Sequence, residues 1–280
     1  MEYKKGHTIK PKETLENGVV VFTDGTSDVS PNQISCEAYG YKWDRKSSTC
    51  YGFSSNFKIG KLFQNTTNTK IGAENVTNKG TENTFINGTK NTTKGNNRNL
   101  LICGESHEVS NGISNASVFG TYGKALRQAE VVIGGGIGTA DYPLGNNQTS
   151  IVQLGGLTIN ASATDLTISG DGASYIAVQN NSILGFEVKV IGICYGGSSG
   201  TAGDYKYIEI KGAVKVDNGY NTTFSQSSTT IASVGTTGVA VMADVTDPNI
   251  TVEVTGTANV NVEWFASVQL TENKLNSVTF

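Results

Sequence analysis

The sequence predicts an all-β chain with few helices, in which a short repeat stalk leads into antiparallel sheets. Three observations carry this expectation. Glycine supplies 34 of 280 residues, and charged residues only 16%, against usual values of ~7% and ~25%. Glycines recur about every eighth residue between positions 72 and 120. Near the C-terminus apolar and polar residues alternate one for one, the period of a half-buried strand.

The net charge is −3, and Lys4, Lys5, Lys10 and Lys12 are interleaved with Glu2, Glu13 and Glu16. A nucleic-acid or anionic-membrane partner would leave a basic footprint, so neither is expected. No run approaches the ~18 apolar residues of a membrane span. The opening MEYKKGHTIK lacks the apolar segment of a secretory signal, which argues against an exported bacterial adhesin. The apolar content of 37% is enough for a packed core.

Residues 1–56 form a first zone. It holds a strand candidate at Val19–Phe22 and an aromatic cluster at Tyr39, Tyr41, Trp43 and Tyr51, with turn signals at Asp24-Gly25 and Ser30-Pro31-Asn32. Small aromatic modules usually need a partner surface to complete a core. The zone therefore reads as an attachment segment presenting Tyr39, Tyr41 and Trp43. Cys36 and Cys50 bracket CEAYGYKWDRKSSTC; they either close a disulfide loop or remain two buried thiols. The two histidines, His7 and His107, are far apart and the four cysteines unclustered, so neither a metal nor another cofactor is expected.

Residues 57–123 form the repeat. Glycines at 72, 80, 88, 95, 104, 112 and 120 punctuate it, several opening a tetrad that ends in asparagine: GAEN, GTEN, GTKN and GISN. Apolar residues recur between the turns at Ile71, Val76, Phe85, Leu101, Val109 and Val118. An eight-residue period admits one strand of about four residues and one tight turn, where Gly or Asn accepts positive φ. Two periods make a 16-residue coil of a β-roll or β-helix. At ~4.8 Å per coil, three coils rise only ~15 Å and leave their strand edges open. Three copies packed about an axis would cover them.

Residues 124–146 read as a connector, in which GKALRQAE (Gly123–Glu130) allows one helical turn before the bend at Gly134–Gly136. That bend lacks the GK[ST] of a phosphate loop. Residues 147–280 read as an antiparallel β-sandwich or jelly roll, with strands near Phe186–Cys194, Tyr205–Val216, Gly238–Val245 and Ile250–Thr255. In NVNVEWFASVQL one face carries Val260, Val262, Trp264, Ala266, Val268 and Leu270.

No chemistry stands out, and an enzyme is not expected. A polysaccharide hydrolase needs two carboxylates across a cleft, but Asp141, Asp165, Asp171, Asp204, Glu209, Asp217, Asp244 and Asp247 have no distinguishing context. Asp244 and Asp247 near Asn249 do not follow the spacing of a calcium loop. Tyr175, Tyr195, Tyr205, Tyr207, Tyr220 and Phe224 are the candidate binding residues. They would serve either a shallow glycan site or an interface between copies.

The repeat resembles the β-rolls of trimeric autotransporter heads and phage appendages. The stretches GESHEVSNGISNASVFGTYGKALRQAEVVIGGG, IGICYGGSSGTAGDYKYIEIKGAVKVDNG and VTGTANVNVEWFASVQLTE are similar to the C-terminal modules of phage tail and head fibres, crAss-like phages included. The closing Trp264-to-Glu272 motif is the most specific element. The resemblance implies a homotrimer on the virion, anchored on a phage capsid or tail protein through its N-terminus, with an outward C-terminal sandwich that meets host-surface or mucus glycans. It carries over no catalytic residue. A stalk of ~15 Å suits a head fibre better than a long tail fibre.

Overall fold

The computed structural model describes residues 6, 8–15, 18–52, 68–139, 142–246 and 248–274. The chain divides into two units, Met1–Thr67 and Asn68–Phe280.

In the first unit the antiparallel strands Lys10–Thr14, Val20–Thr23 and Asp28–Val29 form one sheet. A hairpin pairs Lys42–Asp44 with Thr49–Tyr51. Between them lies the helix Gln33–Ala38, capped by Asn32, whose side chain accepts the Ser35 amide while Ser35 reaches back to the Asn32 amide. This is a reciprocal capping box. Cys36 and Cys50 are joined in a disulfide and lie in a core with Val20 and Phe22. Tyr39 and Tyr41 meet Phe22 edge-on at 5.9 and 6.3 Å, and the Tyr39 hydroxyl donates to the Ile9 carbonyl at 2.9 Å. Tyr39, Tyr41 and Trp43 thus pack against the unit's own core. A disulfide and three aromatics supply the apolar mass that the sequence reading expected from a partner.

The second unit begins as a parallel β-solenoid. Thr69–Ile71, Glu82–Thr89, Arg98–Glu105, Ser117–Thr121 and Val131–Gly135 stack side by side. Val76–Thr77, Thr92–Thr93, Glu108–Val109 and Lys124–Ala125 form a second, narrower parallel sheet. Pairs such as Phe85↔Leu101 and Leu101↔Ser117 give the expected 16-residue coil, one strand of each sheet per turn. The last coil is shorter, because Ser117 pairs with Val131. Ile86, Leu100, Ile102, Val109, Val118 and Val132 fill the interior. Phe85 and Leu101 point outward.

The glycine period has a steric cause. A Cβ on Gly72, Gly88 or Gly104 would overlap the carbonyl of Gly88, Gly104 or Gly120 in the next coil. This column admits only glycine. The offset glycines answer a different need, since Gly112 has open space but φ +78°. Asparagine rows separate in the same way. Asn83, Asn99 and Asn115 take φ of +50° to +60° and bond side chain to side chain on the outside, Asn83 to Asn99 and Asn99 to Asn115. Asn75 and Asn91 point inward: Asn75 Oδ1 accepts the Asn91 backbone amide, and Asn91 Nδ2 donates to the Gly104 carbonyl.

The solenoid runs beyond position 123. Lys124–Ala125 and Val131–Gly135 belong to it, and no helical turn forms over Gly123–Glu130. Val131–Gly135 pairs antiparallel with Gln148–Thr158, and the same sheet continues through Asn261–Lys274, Ser182–Gly196, Tyr205–Val216 and Thr222–Val234. The result is one 11-stranded sheet, parallel at one end and antiparallel at the other. A second sheet of Gly238–Thr246, Asn249–Gly256, Ala163–Asp165 and Ile176–Ala177 contributes Met242, Ile250, Val252 and Val254 to a common core with Val188, Ile210, Trp264 and Val268. All six alternating residues from Val260 to Leu270 are buried. The strand Thr222–Val234 was not anticipated.

Candidate functional site

The outward face of the long sheet carries a run of exposed apolar side chains. Cross-strand register sets Phe85, Leu101, Ser117, Val131 and Ile151 in one row. Ile71, Asn87, Cys103, Phe119 and Ile133 form a second. Phe85, Leu101, Val131 and Ile151 are each 37–39% exposed, and Ile133 54%. A charged band follows on the antiparallel part, where Lys211 lies 3.7 Å from both Glu187 and Glu209. Beyond it is another apolar field, in which Phe265 pairs with Ile191, Ile191 with Tyr207, Ile193 with Tyr205, and Tyr205 with Val234.

The candidate aromatics therefore separate by location. Tyr205 and Tyr207 sit on this outward face among aliphatic side chains, and Tyr195, half exposed, follows Ile191 and Ile193 on the neighbouring strand Ser182–Gly196. The Tyr207 hydroxyl donates to Glu209 at 3.0 Å. Phe224 turns inward against the core. Tyr220 closes the turn begun by Asp217, with φ +66°. Tyr175 lines a cavity with Thr164, Asp165 and Thr167.

Two features carry charge or protons inside the fold. Arg127 is fully buried, with Glu130 and Glu272 on either side. Its NH1 donates to Glu130 Oε1 at 2.5 Å, its NH2 to Glu272 Oε1 at 2.6 Å, and its Nε to the Ala177 carbonyl at 2.7 Å. Glu130 Oε2 also accepts the Leu126 and Arg127 amides, and Glu272 Oε2 accepts from Gln148 and Ser150. Burial alone would raise the Glu272 carboxyl; Arg127, Gln148 and Ser150 overcome it and hold the group below its ordinary value. The network ties the last coil to both antiparallel sheets. Little in the sequence signals it: GKALRQAE has a helical period, Glu272 closes a strand motif, and Arg127 and Glu272 lie 145 positions apart.

His107 occupies the third place in the inner asparagine row, three residues after Gly104. Its amide donates to Asn91 Oδ1 and its Nδ1 accepts the Gly123 amide at 2.9 Å, which places the ring proton on Nε2, 3.3 Å from the Cys103 carbonyl. A second proton would oppose the Gly123 N–H. Burial also lowers the imidazole below its ordinary value. The unfolded chain therefore takes up the proton first. Stability is complete above pH ~6.5 and falls by about 1.4 kcal/mol per pH unit below it, until the folded value is reached. His107→Asn is expected to remove this slope, measured as urea midpoints at pH 7 and 5.

Asp141, Asp247 and His7 lie outside the described residues. Among those described, no group of three His, Cys, Asp or Glu side chains gathers as a metal site, and no helix is long and apolar enough to cross a membrane.

No family model and no curated protein matches the chain. Among solved structures, the tailspike protein of Acinetobacter baumannii phage AM24 is 11% identical, with 74% of this chain and 48% of that chain covered and a TM-score of 0.28. The tailspike gp49 of A. baumannii bacteriophage Fri1, a capsular polysaccharide depolymerase, is 10% identical, covering 74% and 45%, also at 0.28. The chain spans about half the length of these proteins. So loose a superposition transfers neither a site nor an activity.

Proposed function

We propose that the chain is the non-enzymatic subunit of a homotrimeric bacteriophage fibre. In this reading it is a head fibre attached to the capsid through its first unit, with the C-terminal sheets turned towards glycans of the host surface or mucus. The observation that carries the trimer is the outward face of the long sheet. Its two apolar rows cross five consecutive strands, and a parallel sheet is ordinarily buried on both faces. Contiguous exposed apolar side chains on such a face mark an association surface. A second copy is the fitting occupant, since the rows repeat at the coil spacing and would meet their own counterparts. Five parallel strands rise only ~19 Å, which favours a stubby head fibre over a long tail fibre. The phage assignment itself rests on the sequence resemblance.

The test has two arms. Full-length protein is expected to sediment at three times 29.5 kDa, and the double variant Phe85→Lys, Leu101→Lys as a monomer. A wild-type monomer would remove the basis of the reading. Gold-labelled antibody on particles would then separate capsid from tail: label at the tail makes the chain a receptor-binding fibre. Release of reducing ends from capsular polysaccharide would replace the binder with a tailspike enzyme.

A further inference from the structure

Glycan display, as proposed above, names neither a place on the surface nor a kind of sugar. Two cavities of the second unit, about 530 and 470 Å³, share Gly155, Gly156, Leu157 and Gly170 and so make one furrow. Three of the four shared residues, Gly155, Gly156 and Gly170, carry no side chain, so the floor is largely bare backbone. Tyr175 and Asp165 line one end, Phe265 and Glu263 the other.

Three of these four side chains are polar, and they share one property. Among the described residues, no hydrogen bond or ion pair engages the Tyr175 hydroxyl or the carboxylates of Asp165 and Glu263. Asp165 is half-buried, and burial with no compensating donor raises its carboxyl above the ordinary value. Glu263 is exposed and Asp165 and Tyr175 are only partly buried, so all three polar groups are open to a ligand. Hydroxyl groups of a ligand could donate to either carboxylate and exchange a bond with the Tyr175 hydroxyl. The two aromatic rings offer faces for the C–H side of a pyranose, and the glycine floor lets it approach the backbone. No lysine or arginine lines either cavity. A uronic, sialic or sulfated sugar would therefore meet two carboxylates and no counter-charge.

We infer that this furrow is a subsite for a neutral, hydroxyl-rich saccharide and that it discriminates against acidic sugars. The inference rests on the glycan-display reading and narrows it.

The experiment uses the full-length protein on an array of neutral hexose and N-acetylhexosamine oligosaccharides, with uronic-acid and sialylated counterparts beside them. Binding to neutral members is expected, at least tenfold weaker for Asp165→Asn and for Tyr175→Ala, with sedimentation unchanged. Tyr175→Phe keeps the ring and should lose less, which separates stacking from folding damage. Binding confined to acidic members, or neutral binding indifferent to both substitutions, overturns the furrow assignment and leaves glycan display standing elsewhere. Wild-type protein that binds no glycan sinks display and furrow together.

Discussion

Gly104→Ala is expected to destroy the solenoid, with a loss above ~4 kcal/mol, beyond the range of ordinary substitutions. The added Cβ would overlap the Gly120 carbonyl and come within 2.6 Å of His107 Nε2. Neither can retreat: one is fixed in the parallel ladder, the other in the inner row of amides. The backbone there has φ +133°, far from the left-handed well near +57° that a side chain tolerates. Gly112→Ala is the matched control. It also has positive φ but nothing within 4 Å of the new Cβ, so its cost should stay near 1 kcal/mol. Thermal unfolding followed by circular dichroism compares the two. Equal losses would mean that positive φ, and not contact between coils, fixes the glycine period.

Arg127→Met is expected to cost about 3–5 kcal/mol, because it strands Glu272 and Glu130 as buried carboxylates without a cation. The pH dependence gives a sharper signature than the loss itself. In the wild type the Glu272 carboxyl is held below its ordinary value. The unfolded chain then binds the proton first, and the group's contribution, present above pH ~4.5, is lost as pH falls through the folded value. Without Arg127, burial is opposed only by the Gln148 and Ser150 hydrogen bonds, and the Glu272 carboxyl moves upward. The variant should therefore recover part of its deficit as pH falls from 7 to 5. Urea midpoints of variant and wild type at pH 7 and 5 measure that recovery. A deficit that stays constant would show that Arg127 contributes packing alone.

The repeat could be read from sequence because its cause is local. A glycine column in contact with carbonyls of the next coil, and asparagines at left-handed corners, leave the same residues every 16 positions whatever surrounds them. His107 was within reach by the same logic, three residues after Gly104 where Asn75 and Asn91 follow Gly72 and Gly88. The alternating strands were equally open, since Val260 to Leu270 needs only a core on one side. Other features depend on partners far along the chain. Arg127 abandons a helical pattern for two carboxylates, one of which, Glu272, lies in no window around it. Thr222–Val234 carries no apolar alternation, yet it pairs along Tyr205–Val216, and Gln226 and Ser228 bond the backbone of the opposite sheet at Met242 and Ala240. Dividing the tyrosines required strand register and parity, which composition does not reveal. Tyr39, Tyr41 and Trp43 were read as an attachment surface because a 56-residue module looked too small for its own core. The disulfide and the edge-on contacts of Tyr39 and Tyr41 with Phe22 provide one.

The common register of the coils also constrains how such a stalk can change over generations. Glycine column, inner amide row and outer asparagine row all advance by 16 residues, so a single inserted or deleted residue misaligns three alignments at once. A whole coil can be gained or lost without disturbing any of them, altering the height by ~4.8 Å. The short final coil, from Ser117 to Val131, sets where this freedom ends, because it delivers the chain to the Arg127 joint. Length variation among descendants of this sequence should then come in whole coils, placed upstream of Ser117.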